Sequence, residues 1–210
     1  ECRKTAANSP IGIDMNLSNF CTMSDGTVVP NPKYRKSVQS KIAKQQRRVS
    51  RRLERAKADG KALKDAKNYQ KARRQLALLH RHYTRQRDDF IGCTSNDAVK
   101  NHDFIVVERL NIKGLLKNHK LAMAISDAGW YKFQTAVSQK AAAEGIPFIR
   151  VPAKNTTQKC SHCGHICHGD EKIVLGQDEW DCPECGTHNL RDVNAAINIL
   201  RLGLQILSET

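Results

Sequence analysis

The pattern of apolar and polar positions begins with short strands. Apolar runs at residues 11–15 and 19–23 are separated by a polar turn, and Asp25-Gly26 marks a second turn before residues 27–29. Short apolar runs that are joined by such turns are typical of antiparallel strands. The pattern therefore predicts a three-stranded meander at the start of the chain.

The following segment has helical periodicity. Between residues 33 and 88, apolar side chains recur at spacings of three, four and seven, which is typical of amphipathic helices. Asp59-Gly60 interrupts the pattern, so two long helices are predicted. The apolar positions of the first helix are Val38, Ile42, Val49, Leu53 and Ala56, and those of the second are Leu63, Ala66, Tyr69, Ala72, Leu76, Leu79 and Tyr83.

Strands and helices alternate in the rest of the chain. Residues 104–107 predict a buried strand that ends at Glu108, and residues 147–151 predict another. Helices are predicted around 121–127 and 130–144, where Trp130 keeps helical spacing with neighbouring apolar residues and is expected to pack, while Tyr131 is a candidate for stacking on a base. A last helix at 192–207 has an apolar side made of Ala195, Ala196, Ile199, Leu200 and Leu204. This alternation predicts an α/β fold.

The length and charge of the chain limit its class. The 210 residues suffice for one medium domain and a small module. A formal charge of +14 favours a polyanionic partner, above all nucleic acid, because each Lys or Arg that neutralises a phosphate releases a counterion. No apolar run approaches the roughly 18 residues that cross a bilayer, and the N-terminus lacks a signal-peptide pattern. These features predict a soluble, cytoplasmic protein that does not bind membranes.

The positive charge is concentrated in the predicted helix pair. Residues 33–88 contain 20 Lys and Arg residues but only 4 Asp and Glu residues. Such a segment can be the solvated face of an ordinary amphipathic pair, but contacts with a phosphate backbone are favoured because almost no acid balances the charge. The candidate nucleic-acid-binding residues are Arg47, Arg48, Arg51, Arg52 and Arg55.

Four of the eight cysteines form the pattern Cys160-x2-Cys163-x18-Cys182-x2-Cys185. Two thiolate pairs on tight knuckles can converge on one tetrahedral Zn²⁺ with no open coordination position, so this zinc is predicted to be structural. Gly164 and Gly186 follow the second cysteine of each pair and allow the backbone to fold back.

Other cysteines and histidines leave alternatives open. Four unmetallated thiols are the simplest alternative, and nearby side chains could replace a zinc ligand, namely His162, His165, Cys167 and His168. The scattered cysteines are predicted to be free thiols: Cys2, Cys21 and Cys93.

Three acids stand out because of their surroundings. Asp14 lies within an apolar strand, Glu108 ends another, and Asp192 begins the last helix. A buried carboxylate is costly unless it is paired or bound to metal. Each acid alone is also compatible with a capped turn or a salt bridge, and Asp192 with a helix N-cap.

The order of the motifs resembles a known family. The chain contains in succession Gly12-Ile-Asp14, Val107-Glu-Arg-Leu-Asn-Ile-Lys-Gly114, Thr157-Gln-Lys-Cys-Ser-His-Cys-Gly164, Cys182-Pro-Glu-Cys-Gly186 and Arg191-Asp-Val-Asn-Ala-Ala-Ile-Asn-Ile199. This series resembles the C-terminal half of the TnpB (OrfB) proteins of insertion-sequence transposons, which are relatives of the type V CRISPR effectors. The resemblance extends from about residue 9 to about residue 203.

The resemblance implies an RNase H-like (RuvC) mixed sheet with a long basic helical insertion and an inserted zinc ribbon. The expected boundaries are a nuclease domain at 1–157 that includes the helical pair at 33–99, a ribbon at 158–189, and a final helix at 190–210. The implied partners are a guide RNA and target DNA, together with an N-terminal wedge and recognition half in the same or a separate chain. Asn16 departs from the family, since many relatives have glycine there.

The implied activity is cleavage of DNA selected by a guide RNA, with Asp14, Glu108 and Asp192 binding Mg²⁺ or Mn²⁺. Asp14 is expected to bridge two ions, Glu108 to orient one ion and its water, and Asp192 to complete the second site. One alternative is a nuclease-inactive RNA-guided DNA-binding repressor, which the intact triad disfavours. Others are a non-catalytic zinc-ribbon nucleic-acid-binding module and a guide-independent nuclease such as a junction resolvase.

Overall fold

The computed structural model describes residues 9–174 and 176–209. Cys2 lies outside these ranges. The predicted strands and helices occur in the expected order, together with a short helix at 112–115 and a hairpin in the cysteine-rich region that were not predicted. The elements are β1 (Pro10–Asp14), β2 (Cys21–Met23), β3 (Val28–Val29), α1 (Tyr34–Ala58), α2 (Lys67–Asn101), β4 (Phe104–Arg109), α3 (Ile112–Leu115), α4 (Ala122–Ala128), α5 (Trp130–Ala143), β5 (Phe148–Pro152), a 3₁₀ turn (Gly169–Glu171), β6 (Glu179–Asp181), β7 (His188–Leu190) and α6 (Arg191–Ser208).

The main sheet is mixed, as predicted. Its strand order is β3-β2-β1-β4-β5. β1, β2 and β3 form the antiparallel meander, whereas β4 is parallel to both β1 and β5. The long segment between β1 and β4 provides the crossover that a parallel pair requires. β6 and β7 form a separate antiparallel hairpin within the cysteine-rich region.

The central strands are almost completely apolar because they are buried in the middle of the sheet. Ile11, Ile13 and residues 105–107 are at most 2% exposed. Continuous apolar runs of this kind are typical of parallel strands that are covered on both faces. Phe133 of α5 packs edge-on against Phe20, with 5.1 Å between ring centroids. Trp130 is buried too, which confirms that it packs into the protein.

α6 lies close to the sheet at two glycines. A Cβ atom at Gly12 of β1 would collide with the backbone of Ala196, and one at Gly203 would collide with the side chain of Val106 of β4. The prediction that Leu204 faces the core is wrong, since this side chain is 40% exposed. The position that faces the sheet at this end of α6 is occupied by Gly203, where the close approach leaves no room for a larger residue.

Lys33–Phe90 form a compact unit of their own. Within it, α1 and the first part of α2 pair through small buried side chains and through Gln45, whose Nε2 donates to the backbone oxygen of Ala72 (3.0 Å). The predicted break is confirmed, because α1 ends at Ala58 and Gly60 has a positive φ of 63°. Leu63 and Ala66 both lie before α2, so their predicted place on the helix is wrong; Leu63 is exposed, whereas Ala66 is buried.

The expected limit of the helical insertion at residue 99 falls inside α2, in the part that belongs to the unit containing the sheet. Across the ranges that the structure describes, no helix has the length and apolar content needed to span a membrane.

Candidate metal centres

Two of the three acids lie at the carboxyl ends of neighbouring parallel strands. Ile13 pairs with Val107, so Asp14 and Glu108 follow this pair in register. Because side chains alternate along a strand, these acids project to the same face as Gly12 and Val106, the face that α6 covers.

The third acid approaches the same edge from α6. Asp192 lies in the first turn of this helix, one turn before Ala196, which contacts Gly12. The N-cap position is Leu190, so Asp192 is not the capping residue. The negative charges of Glu108 and Asp192 both act on the carboxyl group of Asp14. The fold therefore brings together all three predicted acids.

Burial and mutual repulsion make this cluster favourable for a cation. Asp14 and Glu108 are only 6% and 8% exposed. Burial raises the pKa of Asp14 to about 7, with further upward contributions from Glu108 and Asp192, and Arg191 and Asn16 oppose the shift. Burial also raises the pKa of Glu108. A divalent cation would compensate both the desolvation and the repulsion, and carboxylate oxygens are the ligands that Mg²⁺ and Mn²⁺ prefer. The donor set therefore fits such an ion.

Glu108 is held by two residues that sequence reasoning missed. The hydroxyl of Thr156 donates to Glu108 Oε1 (3.2 Å), and Gln134 Nε2 donates to the backbone oxygen of Glu108 (2.8 Å). Gln134 offered a sequence signal, because it is a polar residue on the buried face of α5 beside Phe133. Thr156 offered none, since it lies in a polar connection before the cysteines.

Asp192 is held on both carboxylate oxygens. Asn16 Nδ2 donates to Oδ2 (3.0 Å) and Arg191 Nε donates to Oδ1 (3.1 Å). Neither residue was predicted to belong to the site. Asn16 offered only its position as a sequence signal, two residues after Asp14.

The four cysteines of the two pairs converge, as the spacing predicted. Their Sγ atoms all lie within 4.8 Å of one another, with 3.8 Å between Cys160 and Cys185 and 3.6 Å between Cys163 and Cys182. Four sulfurs placed tetrahedrally about 2.3 Å from a zinc ion would be about 3.8 Å apart. The arrangement therefore fits Zn²⁺. The neighbouring candidates His162, His165, Cys167 and His168 do not belong to this cluster.

Both knuckles turn at the predicted glycines. Gly164 and Gly186 have positive φ values of 84° and 68°, and each donates its amide to the backbone oxygen of the first cysteine of its pair. The side chain and the backbone amide of Thr187 lower the pKa of Cys185 to about 6, which favours the thiolate that binds metal. Outside this cluster, Cys21 and Cys93 are free thiols, as predicted.

The base of the cysteine-rich region is fixed to α6 by two buried asparagines. Asn194 accepts from the amide of Ser161 (2.7 Å) and donates to the backbone oxygen of Lys159 (2.8 Å). Asn198 Nδ2 donates to the backbone oxygens of Thr156 (2.9 Å) and Lys159 (2.6 Å). The sequence signal was a pair of polar residues, one turn apart, within the apolar stripe of α6.

The five candidate arginines of α1 differ in their surroundings. Arg47, Arg51 and Arg55 are exposed and recur every four residues, so they lie along one side of the helix. Arg48 is exposed too but lies 3.4 Å from Gln75 Oε1 of α2. Arg52 is partly buried, and together with Arg55 it lines a cavity of about 450 Å³ at the end of the helix pair. We call the first three the outer arginines.

Comparison with known proteins first defines the fold. The structure is similar to a chain in a cryo-EM structure of a Cas12f1–sgRNA–target DNA complex, with a TM-score of 0.59 and 16% sequence identity. The match covers 92% of this chain and 50% of that chain. At this level of identity the two chains share a fold.

The family follows from sequence. Residues 1–119 match the OrfB_IS605 family, described as a probable transposase, and residues 130–199 match the Cas12f1-like TNB domain. The chain is 38% identical over 95% of its length to a candidate RNA-guided DNA endonuclease of Streptomyces pristinaespiralis, and 30% identical over 95% to InsQ of Escherichia coli, which is named in the same way. The protein belongs to the OrfB (TnpB) family. It spans about half the length of these curated relatives.

Proposed function

We propose that this chain is the nuclease part of an RNA-guided DNA endonuclease that hydrolyses DNA phosphodiester bonds in a metal-dependent reaction. The observation that carries this proposal is the convergence of Asp14, Glu108 and Asp192 from three distant parts of the sequence on one edge of the sheet. Three acids at such a place destabilise the protein unless a cation binds them. A zinc-ribbon binding module would have no need of this cluster, and a nuclease-inactive repressor would not be expected to keep it intact.

We further assign the main sheet to the RNase H-like (RuvC) class. The antiparallel meander followed by two parallel strands, with acids at the ends of β1 and β4 and a third acid on the closing helix, supports this assignment. The basic unit Lys33–Phe90 is then an insertion between β3 and β4, and the cysteine-rich region is an insertion between β5 and the last helix.

In the proposed site, Asp14, Glu108 and Asp192 would hold divalent ions: Asp14 would be the central ligand, Glu108 would also orient the attacking water, and Asp192 would complete the set. Bound Mg²⁺ or Mn²⁺ would supply a more acidic water and would stabilise the charge on the leaving oxygen. The residues around the acids act before any ion binds. Thr156 fixes the carboxylate of Glu108 by a hydrogen bond, and Asn16 restricts the rotation of the Asp192 carboxylate in the same way.

The second proposed metal is a structural zinc bound by Cys160, Cys163, Cys182 and Cys185. A closed set of four thiolates leaves no position for substrate, so this ion would stabilise the ribbon and take no part in hydrolysis. Its binding free energy would contribute directly to the folding of a region whose described residues include a small apolar cluster around Trp180.

The proposed partners are a guide RNA and its DNA target. The relatives that define the family carry names of RNA-guided endonucleases, and the similar Cas12f1 structure contains an sgRNA and target DNA. The outer arginines suit contact with a phosphate backbone, because they are exposed and regularly spaced on a unit with few acids. We expect the wedge and recognition half of the complete protein to bind the guide as well.

The test uses the full-length protein loaded with its guide RNA and a matched DNA target. Wild-type protein should cut this target only when Mg²⁺ or Mn²⁺ is present, whereas Asp14→Asn should bind RNA and target normally but should not cut. Asp25→Asn, in the exposed turn between β2 and β3, is the matched control and should cut like wild type. Cleavage by Asp14→Asn at the wild-type rate would show that the catalytic assignment is wrong.

A further inference from the structure

The carboxylate of Asp192 is unusually well constrained for a side chain that is 22% exposed. One oxygen accepts a hydrogen bond from Asn16 and the other accepts from Arg191. Each carboxylate oxygen can accept more than one bond, so both retain capacity for a cation. These two donors therefore fix the plane of the carboxylate without blocking it.

Arg191 connects Asp192 to the cysteine-rich region. While its Nε contacts Asp192, Nη2 lies 3.2 Å from Asp178 Oδ1 and Nη1 donates to the backbone oxygen of Gln177 (3.3 Å). Its backbone amide also donates to the backbone oxygen of Asp178 (2.8 Å). The guanidinium is planar and rigid. The partners of Nη1 and Nη2 in the ribbon therefore determine the direction in which Nε donates to Asp192.

Asn16 is fixed from the opposite side, by the meander. Its Oδ1 accepts from the backbone amide of Asn19 (2.7 Å), and its Nδ2 lies 3.4 Å from the hydroxyl of Thr22 on β2. The amide group is therefore oriented by the turn between β1 and β2 before it reaches Asp192. A glycine at position 16 would lack all of these contacts.

We propose that Arg191 and Asn16 are positioning residues for the third metal-binding carboxylate, and that Arg191 makes the orientation of Asp192 depend on the folded zinc ribbon. This inference rests on the proposed function of Asp192. It assigns the ribbon a role beyond its own stability: the ribbon controls metal affinity through the contact between Asp178 and Arg191, without itself supplying a proposed ligand to that site.

A purely electrostatic role for Arg191 leads to the opposite expectation. A cation beside Asp192 repels Mg²⁺ or Mn²⁺, so an arginine that acted only through its charge would weaken metal binding, and Arg191→Lys would leave that effect in place. A positioning role depends instead on the planar guanidinium, whose nitrogens contact three partners at once. Lysine keeps the charge but cannot contact Asp178, Gln177 and Asp192 together, so Arg191→Lys should weaken metal binding.

The experiment measures Mn²⁺ binding to the zinc-loaded chain in the absence of nucleic acid, by the electron paramagnetic resonance signal of free Mn²⁺. Loss of a group that contacts a metal ligand typically weakens metal binding by about 10-fold or more, and Arg191→Lys should do so. Asp178→Asn should weaken binding in the same direction but by a smaller factor, because its ion pair with Arg191 is exposed. Asp181→Asn is the matched control, because Asp181 is a similarly exposed ribbon aspartate whose carboxylate contacts His188. It should bind Mn²⁺ like wild type. Zinc content, measured in parallel, should be unchanged in all three variants.

Each outcome bears on a defined part of the inference. Wild-type Mn²⁺ affinity in Asp178→Asn or Arg191→Lys would overturn the coupling through Arg191, and equal losses in Asp178→Asn and Asp181→Asn would attribute the effect to ribbon charge. Wild-type affinity in Asn16→Gly would overturn the role of Asn16. Asp192→Asn separates the two levels of the proposal. If it too binds Mn²⁺ normally, the proposed metal site itself is wrong, whereas a loss in Asp192→Asn alone refutes only the positioning role.

Discussion

Gly203 of α6 lies so close to Val106 of β4 that no methyl group fits between them. A second such contact joins Gly12 of β1 to the backbone of Ala196. These two points set the depth at which α6 lies on the sheet, and hence the height of Asp192 relative to Asp14. Residues without side chains thus determine the geometry of the candidate site.

Gly203→Ala should destabilise the protein by about 1–3 kcal/mol, because the new methyl group forces α6 or Val106 to move. Gly92→Ala is the control. Gly92 lies within α2 with open space around its Cβ position, so alanine should be neutral or should stabilise the helix by up to about 1 kcal/mol. Urea unfolding curves of both variants measure the difference. Equal stability of the two variants would show that α6 does not need the close approach.

The acid triad should behave as one catalytic unit. In the full-length, guide-loaded protein, Glu108→Gln and Asp192→Asn should each abolish most cleavage, since each removes a charged ligand from a shared metal site. The double variant should then be little slower than either single variant, which is the non-additivity expected of groups that act together. Single-turnover cleavage rates test this. Multiplicative losses in the double variant would indicate two independent sites.

Without divalent cations, Asp14 should make the stability of the protein depend on pH. Burial raises the pKa of Asp14 from 3.8 to about 7, so the folded chain binds this proton more tightly than the unfolded chain. The resulting stability is complete at low pH and is lost as the pH rises through about 7. Asp14→Asn removes the charge, so it should be more stable than wild type at about pH 8 and should lose this advantage towards about pH 5.

Thermal unfolding in buffer without Mg²⁺ measures this difference, and Asp25→Asn should follow wild type at both pH values. Adding Mg²⁺ at the higher pH should stabilise wild type but not Asp14→Asn, because ligand binding to the folded state raises its stability. An Asp14→Asn variant that is less stable than wild type at the higher pH would contradict the assignment of Asp14 to a repulsive, cation-binding cluster.

Zinc should be required for the cysteine-rich region to fold. Purified protein should contain one zinc per chain, and Cys182→Ser should weaken zinc retention by at least about 10-fold because the tetrahedral set is opened. Cys93→Ser, a change at an exposed free thiol, should retain zinc fully. Metal analysis after dialysis against a weak chelator provides the measurement. Well under one zinc per wild-type chain would contradict the proposed zinc site.

The basic helix should contribute affinity that does not depend on sequence. Neutralising Arg47, Arg48, Arg51 and Arg52 should weaken matched and mismatched targets alike, and each lost phosphate contact should reduce the slope of log K against log salt by roughly 0.7–0.9. Arg47 and Arg51 should account for most of the change, since Arg48 contacts Gln75 and Arg52 is partly buried.

A variant in which Lys113, Lys117, Lys120 and Lys132 are neutralised has the same net charge and serves as the control. Binding titrations at several salt concentrations compare the two variants. An unchanged salt dependence in the arginine variant would show that α1 is an ordinary solvated helix that does not contact phosphates. Equal losses of affinity in both variants would indicate a general effect of net charge.

The parts of the molecule that the sequence predicts are those encoded by local spacing. The period of apolar residues predicts β1, α1 and α6, because it reports which face of each element is buried. The paired cysteines at 160–163 and 182–185 predict that the four thiols converge. The spacing of two residues within each pair is what allows both sulfurs of a knuckle to bind one metal ion. Asp14 and Glu108 could be selected because a charge within or next to a buried strand requires an explanation, whereas Asp192 joined them through the family resemblance.

Contacts between distant elements could not be predicted in the same way. The hydrogen bonds from Asn194 and Asn198 to the base of the cysteine-rich region, and those from Asn16 to Asp192, depend on how α6 is rotated and on how deeply it packs. Apolar periodicity gives the buried face but does not identify the partner of a polar side chain. Leu204 shows the same limit. The apolar pattern places it on the buried side of α6, but in the structure Gly203 contacts the sheet and Leu204 is exposed.

The position of Asp192 on α6 has a consequence for synthesis of the protein on the ribosome. Asp14, Glu108 and the outer arginines emerge well before Asp192, and the helix that carries it must leave the exit tunnel and dock onto β1 and β4 before the three acids can meet. A nascent or prematurely terminated chain would therefore display the outer arginines while it lacks Asp192. If the proposed function is right, translation order would delay cutting until α6 has folded onto the sheet.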